Sequence, residues 1–261
     1  YPVKAGDIIL GVDGESLEDK SLLEAITMIR GPQGSTVRLL IQREGVDEPF
    51  VVPVTRDKVE LLTVEYRMLD GGIAYVRLTE FNAIARDRLR EALQEVASQN
   101  PNGLVFDLRG NPGGYLDMAV DVAGEFLPRG TLVLTENERG REPREYHVRG
   151  RGLATEIPLV VLVNGGSASA SEIVAGAIRD HGRGTLIGET TYGKGSVQNP
   201  HRLTDGSSLR VTIARWYLPN GDNLDGSGIV PHIEVAPSPD EVRSGADPQL
   251  DRAVAFLING E

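Results

Sequence analysis

The chain has 261 residues, of which 40% are hydrophobic and 25% charged, a composition typical of a globular protein with a sizeable core. Its net charge of −11 argues against a nucleic-acid partner and against attraction to anionic lipid, because both favour a basic surface. The absence of cysteine excludes disulfides, thiolate metal ligands and a cysteine nucleophile.

The first 54 residues are predicted to form a small β-rich module. "AGDIILGVDG" alternates apolar residues and then reaches Asp13-Gly14, a strong turn signal. The next segment ends at Gly31 and spaces its apolar residues as a helix does, at Leu22, Leu23, Ile26 and Ile29. "STVRLLIQREGVDEPFVVPV" indicates two strands around a turn at Gly45.

From residue 55 to residue 261, strand and helix patterns alternate. "GGIAYVRLTEF", "GLVFDLRG" and "PLVVLVN" indicate strands, and each is followed by a helical pattern. This order predicts an α/β core with parallel strands. "EVAPSPDEVRSGAD" is interpreted as a loop, and "DPQLDRAVAFLING" as a helix capped by Asp247. The chain begins without methionine inside a strand pattern, so we expect it to be a fragment of a longer protein. Its apolar runs are far shorter than the roughly 20 residues that span a membrane.

The stretch "NGGSASASE", residues 164–172, has three interpretations. A flexible linker is disfavoured because apolar segments lie on both sides. Ser169 and Glu172 have the spacing of a capping box, the commonest meaning of such a pattern. A serine between a buried strand and a helix is also where acyl-transfer enzymes place a nucleophile, because free N–H groups at the helix start stabilise an oxyanion.

A serine nucleophile needs a base. None of the four histidines, His147, His181, His201 and His232, is singled out by its context. Lys194 in "TYGKGSVQ" lies between two glycines, which let the backbone approach other groups closely. Burial would favour its neutral amine, a usable base, although a surface lysine in a glycine-rich loop is the commoner explanation. In an extended segment Lys194 and Gln198 point to one face, where the amide could hold the amine.

The third segment is "DLRGNPGG", residues 107–114. Its Asn-Pro-Gly-Gly turn either connects a strand to a helix and nothing more, or presents backbone N–H groups to a ligand. Taken singly, each of the three segments has a purely structural explanation.

Together, in this order and spacing, the three segments resemble the carboxyl-terminal processing proteases, the Ser-Lys dyad peptidases of family S41. "KAGDIILGVDG" and "IRGPQGSTVRLLIQR" look like the C-terminal two-thirds of a PDZ domain. The resemblance implies a crotonase-like or ClpP-like α/β protease core at residues 55–261 and a partial PDZ domain at residues 1–54. The front of that domain, with the loop that would bind a substrate carboxylate, is missing from the chain.

The resemblance implies a role for each matching residue. Ser169, the middle serine of S-A-S-A-S, matches the nucleophile, Lys194 the general base, and Gln198 the residue that orients the lysine. The oxyanion hole would use the N–H of Ala170 and of Gly113, with Gly114 as the alternative. Ser167 and Ser171 then have structural roles, and no metal or organic cofactor is needed.

The same resemblance implies that the PDZ module binds exposed C-terminal tails of protein or peptide substrates. The helix with Leu22 and Ile26 would form one wall of the groove, and Arg30 resembles an arginine that signals to the core. Homo-oligomers would form through segments outside this chain. The implied location is extracytoplasmic: the periplasm, the outer face of the cell membrane, or the thylakoid lumen.

Two other functions stay open at this point. The first is a PDZ-containing adaptor or pseudoprotease that binds tails without hydrolysis; the complete set of Ser169, Lys194 and Gln198 argues against it. The second is an acyl-CoA enzyme, because crotonase-like folds also use glycine-rich oxyanion turns, but Lys194 would then have no explanation.

Overall fold

A computed structural model of the chain describes residues 3–4, 6–20, 22–57, 62–203 and 207–260. It divides into two compact units. The first comprises Tyr1–Leu61 and Pro239–Ala246, and the second comprises Leu62–Ser238 and Asp247–Glu261.

The first unit is an antiparallel sheet with two helices. Its elements are β1 (Ile8–Val12), β2 (Glu15–Ser16), α1 (Leu22–Ile29), β3 (Thr36–Gln42), β4 (Phe50–Thr55) and α5 (Pro239–Ser244). The strand order is β2-β1-β3-β4. The predicted turn between β1 and β2 is confirmed, with positive φ at both Asp13 and Gly14. Alternate residues of β3 are buried, which gives this unit a core of its own.

Helix α5 corrects the sequence interpretation, because Pro239–Ser244 lies inside the segment that was predicted to be a loop. Proline at the first helical position and acidic Asp240 and Glu241 in the first turn favour a helix start. The Pro and Ser content of the surrounding segment obscured this short signal.

The second unit contains the predicted α/β core. Its strands are β5 (Val64–Leu69), β6 (Ile73–Leu78), β7 (Gly103–Asp107), β8 (Leu132–Glu138), β9 (Arg144–His147), β10 (Leu159–Val163), β11 (Thr185–Gly188), β12 (Ser196–Arg202), β13 (Ser208–Tyr217) and β14 (Ile233–Glu234). Its helices are α2 (Ala85–Ala97), α3 (Leu116–Phe126), α4 (Ala170–Asp180) and α6 (Pro248–Asn259). Residues Asp70–Gly72 form a 3₁₀ turn.

The main sheet of this unit has the order β14-β11-β10-β7-β6-β5. All neighbours are parallel except the edge pair β5–β6, so the predicted parallel core is confirmed. Strands β7 and β10 are buried throughout, as expected for parallel strands covered on both faces. A second sheet has the order β12-β13-β8-β9.

Helices cover both faces of the main sheet. Helices α2, α3 and α4 pack in one cluster with Val76, Phe106 and Val161, and α6 packs in another with Tyr75, Val105 and Val160. Because side chains alternate along a strand, each strand supplies both clusters. The helical pattern predicted after the strand "GGIAYVRLTEF" is confirmed as α2, whose apolar residues Leu89, Leu93 and Val96 are all buried. These layers leave the carboxyl edge of the sheet as the place where loops meet.

Candidate active site

Two turns lie side by side at the carboxyl edge of the main sheet. Strands β7 and β10 are parallel neighbours, with Leu162 paired to Asp107. The turn after β7 leads to α3, and the turn after β10 leads to α4. We call residues 108–115 the glycine turn and residues 164–169 the serine turn. Sites in parallel α/β sheets commonly lie at this edge, because the connecting loops converge there.

The outer serines of S-A-S-A-S join the two turns. Ser167 Oγ donates to Leu108 O at 2.8 Å, and Ser171 Oγ donates to Asn111 O at 2.9 Å. Both serines are fully buried. Their hydroxyls therefore satisfy buried carbonyl groups and hold the serine turn to the glycine turn.

An asparagine side chain adds to this connection. Asn164 Oδ1 accepts the N–H of Gly110 at 2.9 Å and that of Gly166 at 3.0 Å. A Cβ at Gly166 would lie 2.9 Å from the Cα of Gly110, so the contact requires glycine. The two turns behave as one bonded unit.

Ser169 has a strained backbone. Its φ of 56° and ψ of −114° place it outside the regions that side-chain-bearing residues favour, at a cost of about 1–3 kcal/mol. Its side chain stays 7% exposed in an otherwise buried segment. Such a strand-to-helix turn holds a serine hydroxyl at the edge of a sheet. This geometry is present without the Gly-x-Ser-x-Gly motif.

Two backbone N–H groups beside Ser169 are free to bind a ligand. Among the described residues, neither Ala170 N–H nor Gly114 N–H has a hydrogen-bond acceptor. The N–H of Gly113, favoured from the sequence, donates to Asn111 Oδ1 at 2.9 Å. A Cβ at Gly113 would lie 2.8 Å from Ser169 Cβ and 2.9 Å from Ala170 N, so the glycine turn packs directly on the serine. In this arrangement the available donors are Ala170 and Gly114.

Glu172 connects the serine to the lysine segment. It is fully buried, and its Oε2 accepts the N–H of Ser169 at 2.8 Å and that of Lys194 at 2.9 Å. The two backbone nitrogens are therefore at most two hydrogen-bond lengths apart. Oε1 accepts Thr191 Oγ1 at 2.6 Å and Gly193 N–H at 2.7 Å. The glutamate half of the predicted capping box, Ser169 N–H to Glu172 Oε2, is present at the start of α4, but Glu172 also binds the segment before Lys194, which its spacing did not predict.

Replacing Glu172 by glutamine should lower the free energy of unfolding by about 3 kcal/mol or more, because an amide brings a donor to a site that holds four donors. Urea denaturation measures this. The exposed Glu91, which among the described residues pairs with Arg88 alone, is the matched control, and its glutamine variant should change stability by at most about 0.5 kcal/mol. Equal effects at both positions would contradict the role of Glu172.

The glycines beside Lys194 are required by close packing. A Cβ at Gly193 would lie 2.7 Å from Gly228 N, and one at Gly195 would lie 2.5 Å from Asp225 N. The carbonyl of Gly193 accepts Gly226 N–H, and that of Gly195 accepts Trp216 N–H. The loop after β13 thus holds the backbone on both sides of Lys194.

The Lys194 side chain is exposed, so the burial considered from the sequence is not found in this conformation. Within the described parts of the chain, its ammonium makes no hydrogen bond or ion pair, with Ser169 Oγ or with any other atom. The backbone of Lys194 is held near Ser169 while its side chain is free to turn.

The other residues predicted from the sequence lie in other elements, and two of their side chains lie outside the described residues. Gln198 is in β12 and pairs with Thr212, but its side chain, like that of Leu22, lies outside the described residues. Ile26 is half-buried and Arg30 is exposed, both in the first unit. That unit has a hollow of about 580 Å³ between β1, β2 and Leu40.

Among the described residues, no histidine forms a hydrogen bond with Ser169. His181 Nε2 lies 2.7 Å from Leu132 O, and His232 Nδ1 accepts Leu186 N–H at 2.9 Å. His147 contacts Gly130 O and Glu145. In the part of the chain that the structure describes, no group of three or more acidic or histidine side chains could hold a metal ion. No helix there is long and apolar enough to cross a bilayer.

A network of charged side chains lies where β7 ends and the glycine turn begins. Arg109 donates to Asp107 Oδ2 at 2.7 Å and to Asp247 Oδ1 at 2.6 Å, and Tyr75 OH donates to Asp107 at 2.7 Å. Burial and the Asp107 carboxylate raise the pKa of Tyr75. Burial alone would raise the pKa of Asp247, but hydrogen bonds from Arg109 and Leu250 N–H lower it overall. Asp107 and Arg109 of "DLRGNPGG" were not predicted to have a role; their charges in an otherwise apolar segment were the available signal.

Comparisons with known proteins match both units. The family model described as "Peptidase family S41" matches residues 72–235, and a PDZ domain model matches residues 3–43. The chain is 41% identical over 252 residues to a carboxy-terminal-processing protease of Bartonella bacilliformis, covering 95% of this chain and 58% of that protein. It is 38% identical over 262 residues to a carboxyl-terminal-processing protease of Synechocystis sp., covering 97% and 61%.

A solved structure gives the same result. The photosystem II D1 C-terminal processing protease superposes with a TM-score of 0.67 at 33% identity, covering 90% of this chain and 64% of that one. The chain spans about three-fifths of the length of the two curated relatives.

Proposed function

The chain belongs to peptidase family S41, and from this premise we propose that it is a serine endopeptidase that cleaves proteins near their C-terminus through Ser169 and Lys194. One observation supports the proposal most. The backbones of Ser169 and Lys194, which are 25 residues apart in sequence, bind the same oxygen of the buried Glu172. A nucleophile and its base require this kind of proximity.

The proposed reaction has two steps. Ser169 Oγ attacks the peptide carbonyl carbon while the neutral amine of Lys194 takes the hydroxyl proton, and the oxyanion binds the N–H of Ala170 and of the glycine turn. The C–N bond breaks, Lys194 gives its proton to the leaving amine, and an ester remains on Ser169. Water, deprotonated by Lys194, then attacks the ester carbonyl; the bond to Ser169 Oγ breaks, the carboxylic product leaves, and Lys194 returns the proton to Ser169 Oγ.

The reaction requires Lys194 Nζ to turn towards Ser169 Oγ. A lysine side chain has four flexible methylene groups, and no described contact holds this one away. Gln198, which lies on β12, is proposed to orient the amine. Catalytic hydrogen bonds commonly tighten only when substrate binds, so the open arrangement is compatible with the proposal.

Covalent trapping tests the proposed nucleophile. The protein is treated with a fluorophosphonate, digested and analysed by mass spectrometry. We expect the added mass on Ser169 and none on the buried Ser167 and Ser171. Two outcomes would contradict the proposal. In the first, the protein hydrolyses an unstructured protein substrate but the fluorophosphonate never modifies Ser169. In the second, hydrolysis continues after every Ser169 has been modified.

A PDZ-containing adaptor or pseudoprotease is the second candidate, and the lack of a bond between Lys194 Nζ and Ser169 Oγ favours it. The full-length protein discriminates between the two functions. Binding of a tail peptide, measured by calorimetry, with no hydrolysis over the same hours would support the adaptor. Cleavage near the peptide C-terminus would reject it.

The wider context is also a proposal. We propose that residues 1–54 form the partial PDZ domain and residues 55–261 the protease core. The PDZ domain is proposed to bind exposed substrate tails, with Leu22 and Ile26 on the groove wall, and to signal to the core through Arg30. The resemblance to processing proteases supports an extracytoplasmic location and oligomers formed through other segments. Cell fractionation and light scattering of the full-length protein test these two statements.

A further inference from the structure

Asn111 lies in the glycine turn and has no exposed surface. Its Oδ1 accepts Gly113 N–H at 2.9 Å, and its Nδ2 donates to Leu78 O, at the end of β6, at 2.8 Å. Its carbonyl oxygen accepts Ala168 N–H at 3.0 Å and Ser171 Oγ at 2.9 Å. Asn111 therefore contacts the sheet, the glycine turn and the serine turn at once.

We propose that Asn111 is a positioning residue that holds the two oxyanion donors, Gly114 N–H in the glycine turn and Ala170 N–H at the start of α4, in register. This inference rests on the proposed function and deepens it. Asn111 does not touch substrate; it acts through Gly113 and Gly114.

The side-chain oxygen of Asn111 determines which N–H is available. Because Oδ1 binds the N–H of Gly113, the next N–H along the turn, that of Gly114, is the one without an acceptor. The peptide that carries this N–H begins at Gly113 Cα, which packs against Ser169 Cβ and Ala170 N. The peptide group between Gly113 and Gly114, which carries this N–H, therefore lies next to Ala170 N–H, the other donor without an acceptor among the described residues.

The backbone of Asn111 holds the other donor. Its carbonyl oxygen accepts hydrogen bonds from Ala168 and Ser171, the residues on either side of the Ser169–Ala170 pair. One residue therefore fixes both partners of the oxyanion hole. Misplacing one such donor typically costs on the order of 10²–10³ in kcat.

The side-chain amide of Asn111 also suits the site because it carries no charge. A carboxylate in its place could not donate to Leu78 O and would put a negative charge one hydrogen bond from the turn that stabilises a developing oxyanion. Asparagine supplies an acceptor and a donor without charge. An aspartate of the same shape should therefore fail at catalysis even if the protein folds.

The test compares Asn111→Ala and Asn111→Asp with Asn102→Ala. Asn102 Nδ2 also donates to a backbone carbonyl, that of Gly71 at 3.1 Å, but at the amino end of β7. We measure kcat and KM on a peptide substrate and inhibition by a peptide boronic acid, whose adduct with Ser169 has a tetrahedral boron with an oxygen in place of the oxyanion. The folded fraction is measured by circular dichroism.

We expect both Asn111 variants to lose about 10²-fold in kcat and a similar factor in boronate affinity, with KM within about threefold of the unaltered protein. Asn102→Ala should change neither catalytic quantity. A folded Asn111 variant, of either kind, with kcat and boronate affinity within about threefold of the unaltered protein overturns the inference. A loss of kcat that is no larger than the unfolded fraction of the variant also overturns the inference. If Ser169→Ala still hydrolyses the peptide, the proposed function fails as well, which separates the two failures.

Discussion

Replacing Ser169 by alanine should reduce peptide hydrolysis by on the order of 10⁴-fold or more, because the acyl-enzyme can no longer form. Ser167→Ala and Ser171→Ala are the matched controls from the same five-residue stretch. They keep the proposed nucleophile, so hydrolysis should fall far less than in Ser169→Ala. Ser171→Ala loses one hydrogen bond, to Asn111 O, and Ser167→Ala loses two, to Leu108 O and from Asn164 N–H, at about 1 kcal/mol of stability for each bond. Initial rates and urea denaturation of the three variants measure these effects.

The strained backbone at Ser169 gives this prediction a second readout. Alanine at a φ of 56° keeps the strain, whereas glycine adopts positive φ freely. Ser169→Gly should therefore be inactive and more stable than Ser169→Ala by about 1 kcal/mol. Retained hydrolysis in Ser169→Ala would reject the nucleophile, and a less stable Ser169→Gly would reject the strain.

Replacing Lys194 by alanine should reduce hydrolysis by at least about 10³-fold, because Ser169 loses its base. Lys194→Arg should be equally inactive, since a guanidinium keeps its proton and cannot act as a base. Neither change should alter the free energy of unfolding by more than about 0.5 kcal/mol, because the side chain is exposed and makes no described contact.

The control for Lys194 is Lys20→Ala, which removes another exposed lysine, in the first unit. It should hydrolyse peptides as the unaltered protein does. Normal hydrolysis by Lys194→Arg would show that a different group takes the serine proton. A large loss of stability in Lys194→Ala would show that the side chain has a structural role instead.

The contrast between Lys194 and Glu172 separates chemistry from architecture. Both residues belong to the candidate site, but among the described contacts only the side chain of Glu172 is buried and hydrogen-bonded. Its replacement should therefore lower stability and activity together, while that of Lys194 lowers activity alone. Measuring both quantities on both variants distinguishes a group that reacts from a group that holds the site together.

Local patterns were enough for much of the fold. The apolar spacing of α2, the turn at Asp13-Gly14 and the cap of α6 by Asp247 are each set by neighbours within a few residues, and they were predicted. The edge strand β5 and the helix Pro239–Ser244 were not, because their apolar patterns are short and mixed with polar residues. The glycines around Lys194 were noticed, but the loop that requires them is about 30 residues away in sequence.

The sequence by itself determined the family, the parallel core and the three segments that could form a site, because residue type and spacing carry that information. Only the tertiary structure decided how those segments meet. It showed that Glu172 binds both Ser169 and Lys194, that Gly113 N–H is occupied by Asn111, and that Lys194 is exposed. The positive φ of Ser169 was likewise visible only in the tertiary structure. The strained backbone of Ser169 lies between Ala168 and Ser171, which both bind Asn111 O, about 60 residues away in sequence, and such contacts can hold a residue in a conformation that it disfavours by itself.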